Sequence, residues 1–188
     1  DRGVPEEALT LYGDTIDYVV ENLDLQTMTP EGYDAVIGNI PEKALNLAEK
    51  DVDAIMIMGT SLTFYQGQEF NERITETVRT ATGLPASTMS NGIINGLKEV
   101  GGKNIVCATA YNDEVNSRLV RFLNQHDFNV LNIEGLGIEA VGDIFSVTDP
   151  QLIQFCGDVA GKAQEADAIL ISCGGLITLD ILAPVESL

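Results

Sequence analysis

Basic residues are scarce in this 188-residue chain: ten Lys and Arg stand against 29 Asp and Glu, a formal net charge of −19. Such a field repels nucleic acid and anionic membrane, because both are gripped by clustered Lys and Arg that displace counterions. Neither kind of partner is expected, and the acidic surface reads as a solubility device. Cysteine is sparse as well. Cys107, Cys156 and Cys173 form an odd set rather than a disulfide framework, and no Cys-x-x-Cys or His-x-x-x-His spacing offers a zinc site. His126 is the only histidine, and within Asn124-Gln125-His126-Asp127 it reads as a solvated loop residue. An enzyme built on a Ser-His-Asp or Cys-His pair is therefore not expected. No run approaches the roughly 20 apolar residues that span a bilayer. With no signal-peptide pattern either, the expected location is cytoplasmic. Gly135-Leu-Gly137-Ile-Glu-Ala-Val-Gly142 misses the dinucleotide spacing at its third glycine, and no Gly-Lys-Ser/Thr phosphate loop occurs. The expectation is an activity without metal or organic cofactor.

What remains is a chain that can fold. Its 45% hydrophobic content supports a normal core, and its length suits one large domain or two small lobes. Apolar runs at 16–20, 54–58, 86–89, 105–109, 128–133 and 168–172 alternate with helical periodicity, the pattern of an α/β fold with parallel sheets. The runs at 54–58 and 168–172 are almost wholly apolar, as strands covered on both faces are. Thr29-Pro30-Glu31 starts a helix whose inner face carries Val36, Ile37, Ile40, Ala44 and Leu47, with Pro41 set to kink or split it. Phe70, Ile74 and Val78 mark a second helix. Ser90 caps a third, with Ile93, Ile94, Leu97 and Val100 inward, and Asn112-Asp113 opens a fourth. Asp149-Pro150 opens a fifth, whose apolar stripe takes in Cys156; Cys107 lies inside a strand, so both thiols read as core packing.

One stretch is repeated. Asp53-Ala-Ile-Met-Ile-Met-Gly-Thr-Ser-Leu62 resembles Asp167-Ala-Ile-Leu-Ile-Ser-Cys-Gly-Gly-Leu176, each an apolar strand ending in a small, Gly-bearing turn. The match through the turn indicates two related lobes, 1–95 and 96–188, with Gly59 as the counterpart of Cys173. Open α/β sheets bind ligands beyond the carboxyl ends of their strands. Three such ends carry reactive groups: Gly59-Thr60-Ser61, Thr109-Ala110-Tyr111 and Cys173-Gly174-Gly175. At the start of a helical turn, free N–H groups favour a Cys173 thiolate. Gly174 and Gly175 let a ligand reach the backbone, whose N–H groups then suit an oxyanion hole. The same triplet suits a buried strand-end cysteine beside a turn, and the residues alone leave both readings open. Thr60 and Ser61 supply hydroxyls, or a helix cap; Tyr111 supplies a phenol, or packing. Asp113 and Glu114 read first as partners of a helix start. Together these groups suit a carboxylate that becomes an enediolate.

Thr29-Pro-Glu-Gly-Tyr-Asp-Ala-Val36, Met58-Gly-Thr-Ser-Leu62, Phe64-Tyr65, Ala81-Thr-Gly-Leu-Pro85, Ala108-Thr-Ala-Tyr111, Ser172-Cys-Gly-Gly-Leu176 and Thr178-Leu179-Asp180 resemble the arylmalonate decarboxylases. That family lies within the superfamily of aspartate/glutamate racemases and maleate isomerases. The resemblance implies two pseudo-symmetric Rossmann-like lobes with parallel sheets and the site between them. It implies a dioxyanion hole of Thr60, Ser61, Tyr111, Gly174 and the Cys173 N–H, holding one carboxylate of a small-molecule acid. The other carboxylate would face an apolar pocket of Leu25, Leu62, Val141 and Ile144, and leave as CO2. Cys173 would protonate the enediolate on one face to give a chiral monoacid. Racemases and maleate isomerases carry cysteine at both paired turns, whereas this chain has Gly59 opposite Cys173, the decarboxylase pattern. A maleate isomerase or racemase acting on a small dicarboxylate is the alternative enzyme, and a catalytically silent small-acid binder the alternative outside catalysis. Relative to the family, the opening strand and the last strand and helix are expected to be missing. Natural substrate, product enantiomer and oligomeric state are not encoded legibly.

Overall fold

The structure, a computed structural model, describes residues 3–188. Helices α1 (Glu6–Tyr12), α2 (Pro30–Ile37) and α3 (Ile40–Ala48) precede the first strand. Thr29 caps α2 by accepting the Gly32 N–H, and Pro30 occupies a first-turn position whose N–H would have no partner in any case. The helical pattern splits just before Pro41, as a proline that cannot donate requires. Strand β1 (Ile55–Ile57) leads through α4 (Thr60–Phe64) and α5 (Gln68–Thr82) to β2 (Ala86–Thr88), with which it pairs in parallel.

Helix α6 (Met89–Glu99) then links this two-stranded sheet to a second one. There β3 (Asn104–Thr109) lies between β4 (Asn129–Gly135) and β5 (Ala168–Ser172), all parallel, with α7 (Asp113–Asn124) crossing from β3 to β4 and α8 (Asp149–Ala160) preceding β5. A short helix, α9 (Leu182–Glu186), follows. The two parallel sheets give the two-lobed, Rossmann-like α/β architecture. Ile105, Val106, Cys107 and Ala108 of β3 are buried, as are Val115, Leu119, Phe122 and Leu123 of α7, so the core of this half forms around its middle strand.

Several local expectations are corrected. Residues 16–20 form no strand: Ile16, Val19 and Val20 stay between 42% and 47% exposed, because an apolar run becomes a strand only beside a pairing partner. Strand β1 is not covered on both faces, since Met56 is half exposed on its outer side. Thr88, not Ser90, caps α6 by accepting the Asn91 N–H, which frees the Ser90 hydroxyl for the interior; Val100 lies past the helix end and is exposed. His126 is not a freely solvated side chain: its ring packs edge-on against Phe122 with centroids 4.8 Å apart, Nε2 is buried with no hydrogen-bond partner among the described residues, and burial lowers its pKa. Among the described residues, no helix is long and apolar enough to cross a membrane.

Candidate active site

The site grows from the register of the second sheet. Thr109 of β3 lies opposite Ser172 of β5, so the chain emerges from adjacent strands with Tyr111 and Cys173 close together. Thr109 Oγ1 accepts the Tyr111 N–H at 3.2 Å and donates to Asn116 Oδ1 at 2.6 Å, which fixes the strand end against α7. Tyr111 is 1% exposed, its hydroxyl 3.2 Å from Ser172 Oγ and within reach of Thr60 and Cys173.

The first sheet supplies the opposite wall. Gly59 turns the chain from β1 into α4 with φ +131°, a conformation that disfavours any side chain. Thr60 and Ser61 follow, both buried at the start of α4. The hydroxyls of Thr63 and Ser90 lie 2.6 Å apart and sit 3.0 and 3.2 Å from the Thr60 carbonyl, locking that turn. The two turns face each other: a Cβ added to Gly174 would come 3.8 Å from Thr60 Oγ1 and 2.8 Å from Met89 Cε, so a side chain there would have to displace the flexible end of Met89. Gly175 packs on Ile144, whose side-chain atoms would lie 3.2 Å from an added Cβ.

Cys173 is half-buried between these walls, and burial raises its thiol pKa. The Gly175 and Leu176 N–H groups and the Tyr111 hydroxyl pull the other way, but desolvation wins. The group is therefore a thiol at neutral pH, which corrects the expectation of a thiolate: a turn's N–H groups do not outweigh an apolar surround.

The apolar residues come from separate segments. An isolated antiparallel bridge pairs Thr27 with Ala140, and the Val141 N–H donates to the Gln26 carbonyl at 2.9 Å, tying the segment of Leu25 to that of Val141 and Ile144. Leu62, Val141 and Ile144 are buried, while Leu25 is half-buried against the core. Leu62 borders Gly59, and Ile144 borders Gly175.

Three residues at the site escaped the reading of the sequence. Met28 is buried with its sulfur 3.8 Å from Cys173 Sγ. Tyr33 is fully buried, and its hydroxyl approaches Ser61 and Cys173 yet completes no hydrogen bond among the described residues. Met89 stands beyond the end of β2 with its sulfur on the Gly59 N–H. The strand-end rule that singled out three turns would have found Met89 as a fourth. Nothing local to Met28 marks it.

Two parallel sheets whose strand-end turns bring Thr60 and Ser61 to face Cys173 and Gly174 define the class, a two-lobed, Rossmann-like α/β protein. The arylmalonate decarboxylase family model matches residues 1–188. The chain is 40% identical over 183 residues to the arylmalonate decarboxylase of Bordetella bronchiseptica, covering 97% of this chain and 76% of that protein. This chain belongs to the arylmalonate decarboxylase family. A crystal structure of a glycine-to-cysteine, cysteine-to-serine double mutant of arylmalonate decarboxylase in the liganded form matches with TM-score 0.95 and 39% identity, over 98% of this chain and 78% of that one. The maleate isomerase Iso from Pseudomonas putida S16 shares the fold, with TM-score 0.81 at 19% identity over 86% of this chain and 67% of that one.

Proposed function

We propose that this protein decarboxylates disubstituted, arylmalonate-type acids to chiral monocarboxylic acids, in a cleft between lobes 1–95 and 96–188. One carboxylate of the substrate accepts from the hydroxyls of Thr60, Ser61 and Tyr111 and from the N–H groups of Cys173 and Gly174. The other lies against Leu25, Leu62, Val141 and Ile144, where poor solvation disfavours the anion. Its bond to the central carbon breaks, CO2 leaves, and the electron pair passes into an enediolate at the held carboxylate. Preorganised donors act hardest on that growing charge. The Cys173 thiol then gives its proton to the carbon. The thiolate left behind meets the Gly175 and Leu176 N–H groups and the Tyr111 hydroxyl, and recovers a proton from water. Every step uses groups of this chain together with water.

The observation that carries this reading is the placement of the half-buried Cys173 thiol beside the Tyr111 hydroxyl and opposite the Thr60 turn; burial raises its pKa, which favours the protonated form a general acid needs. Gly59 on the opposite turn bears no second acid, which agrees with delivery to one face. The test is incubation with phenylmalonate and with 2-methyl-2-phenylmalonate, following CO2 and the optical purity of the monoacid, with maleate in parallel. Release of CO2 with an enantiomerically enriched product is expected. Isomerisation of maleate in its place would establish the alternative chemistry, and binding without turnover would reduce the protein to a small-acid binder.

A further inference from the structure

Met89 reaches across the site in a way that neither the helix it begins nor its packing demands. Its sulfur accepts the Gly59 N–H at 3.2 Å and lies 3.7 Å from Thr60 Oγ1, which points a hydroxyl at it. Its methyl group fills the space in front of Gly174, where an added Cβ would meet Cε at 2.8 Å and Sδ at 3.1 Å. One thioether thus touches both facing turns. The backbone that carries it is held by buried polar groups: Thr88 donates to Asn71 Oδ1 at 2.7 Å, Asn71 donates to Asn91 Oδ1 at 2.7 Å, and the Asn91 N–H returns to Thr88 at 3.1 Å. Met89 itself is only half-buried.

We infer that Met89 is a positioning residue whose thioether parks the Thr60 hydroxyl until substrate binds and then releases it to the incoming carboxylate. This rests on the reading of Thr60 as a donor of the hole. A hydroxyl has a single proton to donate, and a thioether is a weak acceptor. Parked on sulfur, the proton points into the cleft at small cost, and a carboxylate oxygen displaces the sulfur easily because charge-assisted bonds are far stronger. An oxygen acceptor in the same place would compete with the substrate for that proton.

The test compares Met89→Leu with Met89→Gln, using phenylmalonate as substrate and phenylacetate as inhibitor. Met89→Leu keeps the volume and removes the acceptor, so kcat/KM should fall less than about tenfold. Met89→Gln offers a strong acceptor. Its kcat/KM should lie about tenfold or more below that of the Leu variant, approaching the roughly 10²–10³-fold loss of a removed hole donor. Phenylacetate inhibition should weaken in parallel, and kcat should change less than kcat/KM. In a Thr60→Ala background the difference between Gln and Leu should vanish. A purely structural role, satisfying the Gly59 N–H, demands the opposite order, with Gln at or above Leu, and that result overturns the inference. Thr60→Ala alone separates the two levels: if it leaves kcat untouched, the hole itself is misread; if it is impaired while Gln equals Leu, only the role of Met89 fails. Thermal unfolding checks each variant, and Met89→Asn replaces Met89→Gln if the latter does not fold.

Discussion

The two lobes differ in their sheets yet are parallel in how they present chemistry. The first has two short strands, with Met56 and Met58 half exposed; the second has three, around a strand that is buried along nearly its whole length. In both, a buried threonine at a strand end is bonded to an asparagine on a neighbouring helix: Thr88 to Asn71 in the first, Thr109 to Asn116 in the second. Each pair fixes the backbone just before a site residue, Met89 in one lobe and Tyr111 in the other. The difference lies in the cargo. The first lobe brings Thr60 and Ser61 to the candidate site, and the second brings the Cys173 thiol. The contrast teaches that placement at this site depends on short buried polar networks more than on the size of the sheet behind them.

The largest expected effect breaks the division of labour. Cys173→Ala should lower kcat by roughly 10²–10⁴-fold, the usual worth of a positioned general acid, with an unchanged circular dichroism spectrum. Full kcat in that variant would remove the thiol from the proton step. Next come the oxygen donors on both walls. Thr60→Ala, Ser61→Ala and Tyr111→Phe should each cost about 2.7–4 kcal/mol in kcat if their geometry is tight, because the hole works on developing charge. Steady-state kinetics that show only a raised KM would make them plain binding groups.

The shared Thr–Asn device makes a sharper test of the comparison. Asn71→Ala and Asn116→Ala should each destabilise by about 1–3 kcal/mol, since each leaves a buried hydroxyl without its acceptor. Urea denaturation should give similar losses for the two. A loss confined to Asn116→Ala would mean that the larger sheet, not the network, sets the anchorage. The smallest effect concerns pH. All three cysteines fall in the second lobe, and burial pushes Cys107 up to about 12 and Cys156 up to about 11 from an ordinary value of 9. A pKa raised in the folded state means that the native protein holds its proton longer than the unfolded chain does. The associated stability is complete below about 9 and drains away as pH rises toward 11 and 12. Hydrogen exchange should therefore show the second lobe loosening first on titration above 9. The first lobe's buried tyrosines, Tyr33 and Tyr65, are raised from 10 and should respond later.

Much of this was legible in the residues because the signals were local. Thr29-Pro30, Asn112-Asp113 and the Phe70, Ile74, Val78 spacing each specify a helix through contacts a few residues long, and the helices form where the pattern puts them. The repeated strand-turn motif brings Thr60 and Cys173 to notice, because a polar, glycine-bearing turn after an apolar run is unusual by itself, and the carboxyl-end rule for α/β strands adds Tyr111. Residues 16–20 misled for the converse reason: Ile16 and Val20 have strand chemistry, but pairing is supplied by a neighbour and not by the run.

The sequence by itself determined the α/β plan, through backbone propensity and short-range spacing, and the family, through the motifs it shares; it also singled out the candidate turns. Tertiary structure alone decided the direction in which the Cys173 pKa moves, since burial by distant segments outweighs the N–H groups beside it. It alone brought Met28 to within 3.8 Å of Cys173 Sγ from 145 residues away, and set the sulfur of Met89 on the Gly59 N–H. Desolvation and contact across a cleft depend on which surfaces meet, and that information belongs to no single stretch of chain.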